Sequence, residues 1–197
     1  KLTSAGIGDD TIIVAYDDQN GAMASRFWWL LFYMGHKNTF VMKEGFSFWK
    51  EQGYPITDVV PPAKTAFFSF KPNNNLLVHM NDVKQRLEDV KNGSVVLIDS
   101  RERERYIGLN EPIDSVAGHI PGAINKFWLH AKNDSKILEN LPKEKEIIVY
   151  CGSGVTACPN VLLLKELGYN KVKLYAGSWS DWISYKENPI ETGDVEG

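Results

Sequence analysis

The chain has 197 residues, with 22 Lys and Arg against 25 Asp and Glu, so it carries a formal charge of −3 with its signs interspersed and no basic face for nucleic acid. That length suits one large domain or one and a half small ones, and it allows a real core. The apolar run Phe27-Trp28-Trp29-Leu30-Leu31-Phe32 is too short to cross a membrane, and two cysteines make no disulfide framework, so a cytoplasmic, reduced protein with a functional thiol is the expectation.

The chain opens on Lys1-Leu2-Thr3, without Met and without the pattern of a signal peptide. Ile12-Ile13-Val14 reads as a strand, and Asp17-Asp18-Gln19-Asn20-Gly21 as the loop after it. A helix rich in Trp28, Trp29 and Leu31 follows, and Gly35 ends it in the position that favours a left-handed residue. Its aromatic stripe is expected to pack a core rather than line a cofactor site. Thr39-Phe40-Val41-Met42 is a second short strand, and Gly45-Phe46-Ser47-Phe48-Trp49 a Gly-aromatic segment. Residues 61–74, rich in Pro and Asn, read as a linker.

Beyond it lies a complete α/β unit. Asn81 is placed to cap a helix running to about Lys91, with Val83, Leu87 and Val90 on one face. Val95-Val96-Leu97-Ile98 reads as a buried strand, Arg101 to Tyr106 as helical, and Gly118-His119-Ile120-Pro121-Gly122 as a turn into the strand Ala123-Ile124-Asn125. His119 in that turn is expected to be structural. Ile147-Ile148-Val149 is the next strand, and Cys151-Gly152-Ser153-Gly154-Val155-Thr156-Ala157-Cys158 is the loop it feeds. Val161-Leu162-Leu163-Leu164 is helical, Gly168 ends that helix, Lys173-Leu174-Tyr175 is a strand, and Gly177 to Trp182 is Gly-aromatic again.

The order of elements therefore repeats. Ile12-Ile13-Val14 lines up with Ile147-Ile148-Val149, and the helices, their terminal glycines, the short strands and the Gly-aromatic segments follow in register. The first copy lacks the part corresponding to residues 75–145, so residues 1–60 are expected to be half of a domain, with unpaired edges and uncovered apolar surface. Strands alternating with helices imply a parallel sheet covered on both faces.

The Cys151 loop has the strongest chemical signature. A strand delivers a thiol into glycines and small residues, and a helix begins at once, so backbone N–H groups and the helix dipole favour thiolate over thiol. Gly152 and Gly154 are expected to take positive φ and let the backbone close around an anion, with Ser153, Val155 and Thr156 adding amides. A buried structural cysteine is the ordinary alternative for Cys151, and a packed helix cysteine is the expectation for Cys158. A cysteine phosphatase would need an arginine at the sixth position after the cysteine, and that position is Ala157.

Asp99-Ser100-Arg101, Arg105-Tyr106-Ile107-Gly108, Glu111-Pro112-Ile113-Asp114, Gly118-His119-Ile120-Pro121-Gly122-Ala123 and the Cys151 loop together resemble the two-domain rhodanese-like sulfurtransferases, which include the 3-mercaptopyruvate and thiosulfate enzymes. The resemblance implies a three-layer αβα fold around a central parallel sheet, as one complete domain (75–197), a 61–74 linker, and a partial, inactive copy (1–60). It implies transfer of a sulfane sulfur through a Cys151 persulfide to a thiol or cyanide, with no cofactor and no metal. The partners implied are a small anionic sulfur donor and a thiol acceptor, such as a thioredoxin-like protein or a low-molecular-weight thiol, and neither nucleic acid nor membrane. Arg105 matches the position that binds the donor's anionic end, and Ser153 the loop serine placed to protonate a departing enolate. Asp99 and Arg101 are expected to brace the loop. The neutral loop tilts the donor toward 3-mercaptopyruvate over thiosulfate, although Ile113 stands where the animal mercaptopyruvate enzymes carry a second arginine. The alternative is a persulfide relay or sulfur carrier with little donor turnover.

Overall fold

A computed structural model describes residues 1–194, which form two compact units divided between Asn73 and Asn74. In the first unit, strands β1 (Ile13–Ala15) and β2 (Thr39–Val41) pair in parallel around helix α1 (Ala22–Tyr33), and α2 (Gly45–Glu51) follows. Trp28, Trp29 and Leu31 bury one side of α1, as expected of a core stripe. Val14 on β1 and the residues flanking that strand, Ile12 and Tyr16, with Phe40 on β2, are instead 55%, 73%, 55% and 57% exposed.

The segment read as a linker is bound along this first unit. The backbone amide and hydroxyl of Ser69 donate to the two Asp9 carboxylate oxygens at 2.7 and 2.6 Å, and Lys71 and Asn73 donate their amides to the Met34 and Tyr33 carbonyls. Pro and Asn keep the stretch out of regular structure, while its backbone still finds partners.

The second unit is a five-stranded parallel sheet, ordered β3-β7-β6-β4-β5, in which β3 is Leu77–Val78, β4 Val95–Asp99, β5 Ile124–Asn125, β6 Glu146–Tyr150 and β7 Val172–Tyr175. Its helices are α3 (Met80–Gln85), α4 (Leu87–Lys91), α5 (Arg103–Tyr106), α6 (Trp128–Asn133), α7 (Lys136–Glu139), α8 (Cys158–Glu166) and α9 (Ser178–Trp182). Leu97, Ile148 and Tyr150 point to one side and pack with Val83, Val90, Trp179 and Trp182. Ile147 and Val149 alternate to the opposite side, and both are fully buried. Helices α6 and α8 pack together on that side, with α8 also against β7, so the sheet is the middle of three layers. Trp179 and Trp182 are core residues, each 0% exposed, with their indole N–H groups on the Val116 and Pro189 carbonyls.

Two expectations are corrected here. His79, not Asn81, is the N-cap of the helix before β4, because the Asp82 carboxylate turns back to accept the His79 amide at 2.8 Å. That helix also breaks at Arg86 into α3 and α4. The repeat register shifts as well. Ile13 donates its amide to Asn38 and Ile147 to Lys171, so Ile13, rather than Ile12, is the counterpart of Ile147. Counting forward from that shared bond brings Asp17 opposite Cys151.

Ile148 lies at the centre of the sheet and is fully buried. Ile148→Ala is expected to lower unfolding free energy by about 2–5 kcal/mol, measured by urea denaturation, with the m-value unchanged.

Candidate active site

Cys151 follows the last residue of β6 and is 1% exposed. Its backbone is fixed from both sides. The Cys151 amide donates to the Ser178 hydroxyl at 3.1 Å, and the Trp179 amide donates to the Cys151 carbonyl at 3.0 Å. Ser178 itself sits at φ 59°, a conformation uncommon outside glycine, and its hydroxyl donates to the Tyr175 carbonyl at 2.8 Å. The strand end therefore cannot swing, and the loop starts from a fixed point.

Of the two loop glycines, Gly154 takes a positive φ of 76°, and a Cβ there would lie 2.2 Å from the Ala176 carbonyl oxygen. Gly152 does not take positive φ, contrary to expectation. What it leaves clear is the space beside Arg105, whose Nη2 would be 3.6 Å from a Cβ at that position. The loop then turns into α8, with Pro159 in its first turn. Among the described residues, the amides of Gly152, Ser153, Val155, Thr156 and Ala157 have no protein acceptor. Cys158 is buried as the first residue of α8, and its thiol donates to the Gly154 carbonyl at 3.3 Å.

The first unit holds a turn of the same kind with its amides occupied. The helix-terminal bonds from His36 to Leu31 and from Tyr169 to Leu164 align Gly21 with Gly154 and Ala24 with Ala157. Both glycines are left-handed, at φ 83° and 76°. In the first unit the Asp17 carboxylate fills the turn, accepting the amides of Gln19 and Gly21 on Oδ1 at 2.7 and 2.8 Å and of Ala24 on Oδ2 at 2.7 Å. Burial opposes ionisation there, but the amides of Ala24, Gly21, Gln19 and Met23 outweigh it and hold Asp17 below the usual carboxylate range. A single negative charge is what this backbone shape accommodates.

Around the Cys151 loop, Arg101 is buried beneath Trp179, its guanidinium carbon 4.6 Å from the ring centre. It donates to Asp99, to the Gly118 carbonyl at 2.6 Å and to Glu111 at 3.2 Å, and so braces the wall behind the loop. Arg105 is engaged, not open. Its Nε reaches both Glu111 oxygens at 2.8 and 2.9 Å, and its Nη2 reaches Asp114 at 2.9 Å. Among the described residues, Nη1 has no protein acceptor. The Ile113 side chain is 75% exposed, and its part in this cluster is its backbone amide, which donates to Glu111 at 3.1 Å. His119 is structural: its Nδ1 lies 2.8 Å from the Tyr106 carbonyl, an acceptor that requires the proton on Nδ1, and its ring stacks on Tyr106 at 3.9 Å. Sequence reasoning passed over Asp114, Ser178 and Ser180. Their only signals were the Glu-Pro segment and the repeated Gly-aromatic segment.

A cysteine at the end of a parallel strand, followed by amides without protein acceptors and a helix start, marks a thiol at the strand–helix junction of a parallel α/β fold. The rhodanese-like domain matches residues 1–52 and 80–185. A probable 3-mercaptopyruvate sulfurtransferase of Pseudomonas aeruginosa is 36% identical over 98% of this chain and 72% of its own length. The thiosulfate sulfurtransferase of Bos taurus is 32% identical over 98% of this chain and 69% of its own. The crystal structure of the Tum1 protein from Saccharomyces cerevisiae shares the fold, with a TM-score of 0.82 at 24% identity over 98% of this chain and 73% of that one. The chain belongs to the rhodanese-like sulfurtransferases, and the activity it carries is sulfur transfer.

The Asp17 turn makes a prediction with a defined sign. Its carboxyl is depressed on folding, so the stability it adds is present above the unfolded carboxyl pKa and is lost as pH falls through the folded value. Asp17→Ala is therefore expected to cost about 1 kcal/mol at neutral pH. The gap to the wild type should close in acid, as read from urea midpoints across pH.

Proposed function

We propose that Cys151 is the nucleophile of a sulfurtransferase that takes sulfane sulfur from a small anionic donor, 3-mercaptopyruvate or thiosulfate, and passes it to a thiol or cyanide. The observation that carries this reading is the row of amides without protein acceptors directly after Cys151, matched by a carboxylate-filled turn in the first unit. In the loading step the Cys151 thiolate attacks the donor sulfur and an S–S bond forms. With thiosulfate, the donor's own S–S bond breaks and sulfite leaves with its electron pair. With 3-mercaptopyruvate, the C–S bond breaks and the pair leaves as the pyruvate enolate, which takes a proton. The acceptor thiolate, or cyanide, then attacks the outer persulfide sulfur, and the Cys151 thiolate is released.

Gly152, Ser153, Gly154, Val155 and Thr156 present the backbone around the sulfur, and Arg105 meets the donor's anionic end through Nη1. The neutral loop supports 3-mercaptopyruvate as the preferred donor, and the exposed Ser153 is the hydroxyl nearest in sequence for proton delivery. The acceptor is a thiol, of a thioredoxin-like protein or a small molecule, and the protein works in the cytoplasm. Residues 1–60 are half of a second rhodanese-like domain without a nucleophile, a reading supported by the domain match over residues 1–52 and by the uncovered side chains of β1.

The test supplies each donor separately with cyanide to the wild type and to Cys151→Ser. Thiocyanate formation is expected to fall to the uncatalysed background in the mutant, and transfer surviving there would overturn the assignment. Intact mass after donor alone is expected to rise by one sulfur atom. Loading without turnover when acceptor is added would favour a carrier over an enzyme.

A further inference from the structure

Asp114 stands where a donor's charge has to be accommodated. Its Oδ2 accepts from Arg105 Nη2 at 2.9 Å, and its Oδ1 lies 2.7 Å from the Ser180 hydroxyl. That hydroxyl is also 2.8 Å from the Gly152 carbonyl, to which the Ser180 amide donates at 2.9 Å. The Asp114 carboxylate is therefore tied to the residue that follows Cys151, and a Cβ at Gly152 would lie 3.9 Å from its Oδ2. The side chains of Arg105 and Asp114 are only 11% and 9% exposed, so water screens the pair weakly.

The charges of the cluster do not cancel. Asp99, Glu111 and Asp114 face Arg101 and Arg105. Three carboxylates against two guanidiniums leave one excess negative charge beside the loop. Glu111 cannot be spared, because it also holds the buried Arg101. The Asp114 side chain contacts Arg105 and Ser180 and leaves the Arg101 brace untouched. The part Asp114 contributes to that brace region is its amide, which donates to Glu111 at 3.1 Å and survives any side-chain change.

We propose that Asp114 determines donor specificity, by occupying Arg105 and setting a negative charge beside the loop that penalises a doubly charged donor more than a singly charged one. This rests on the sulfur-transfer reading above. Thiosulfate carries two negative charges, whereas the ionised group of 3-mercaptopyruvate near neutral pH is its carboxylate. Both donors meet the same amides and the same Nη1, so the difference between them scales with the extra charge. A neighbouring carboxylate that acts on one further unit of donor charge is expected to separate the two donors by roughly tenfold.

The experiment measures kcat/KM for each donor, with cyanide as acceptor, in the wild type, Asp114→Asn and Asp114→Glu. The ratio of thiosulfate to 3-mercaptopyruvate is expected to rise about tenfold in Asp114→Asn and to stay within about twofold of wild type in Asp114→Glu. Added salt should compress the difference between wild type and Asp114→Asn. A merely structural Asp114 would slow both donors by one factor, and an unchanged or falling ratio overturns the proposal. Should Asp114→Asn not fold, Asp114→Ser removes the same charge and is read the same way. Mass analysis separates the two levels of inference. If either donor loads one sulfur on wild-type Cys151 and the ratio does not move, the role of Asp114 alone is wrong. If neither donor loads it, the sulfur-transfer reading falls and this inference with it.

Discussion

A guanidinium with 1% of its side chain exposed sits under Trp179, and the rest of the site is arranged around keeping it charged. Burial works against the charge, yet Asp99 and Glu111 push the Arg101 pKa above its ordinary value. Each partner then fixes something else. Asp99 ends β4 beside Tyr150 in the sheet register, which sets the strand that carries Cys151. Glu111 also receives Arg105, which places the second guanidinium against the loop. Trp179, the lid over Arg101, donates its amide to the Cys151 carbonyl. Removing Arg101 would leave the buried Asp99 carboxylate without its guanidinium, a loss of the kind that costs about 3–5 kcal/mol. The loop's position is thus a consequence of the ion-pair chain behind it.

The two units use one backbone device with two occupants. Each runs from a parallel strand through a left-handed glycine to a helix start, and Gly21 and Gly154 share that conformation. In the first unit a covalently attached carboxylate closes the turn, and its amides are spent on stability. In the second a thiol stands at the same point, and the amides that follow are left for whatever the sulfur bears. Asp17 reaches one bond further from the backbone than a cysteine thiol and is already negative, so it satisfies the turn by itself and can hold no sulfur.

Much of the fold was readable because its signals are local. Short β-branched runs, the terminal glycines at 35 and 168, and the buried faces of Val83 and Val90 report nearest-neighbour physics. Cys151 was legible for the same reason, since strand, thiol, small residues and helix are contiguous. The errors have equally local causes. Asn81 is a better cap by residue type than His79, but Asp82 supplies the returning carboxylate one turn earlier. The two loop glycines looked alike in sequence, yet only Gly154 takes a positive φ, and only there does a backbone carbonyl, that of Ala176, leave no room for a Cβ. Asp114, Ser178 and Ser180 act through partners distant in sequence: Ser178 lies 27 residues from Cys151, and Ser180 66 from Asp114. No periodicity encodes such contacts. Arg105 was assigned by its motif as an open anion site, and only the folded chain shows two of its arms committed.

That commitment bears on where the sulfur's negative charge is stabilised. No Lys or Arg lies between residues 151 and 158, and Arg105 reaches the loop already paired with carboxylates. The positive potential at Cys151 therefore comes chiefly from peptide dipoles, the loop amides and the start of α8. A helix N-terminus supplies the equivalent of roughly half a unit charge. Added to a few aimed N–H groups, this suits one negative charge, as the Asp17 turn demonstrates with an ordinary carboxylate. These dipoles are fixed in the backbone, so under the proposed reaction a sulfur on Cys151 would meet the same donors throughout a transfer cycle without a side-chain cation moving.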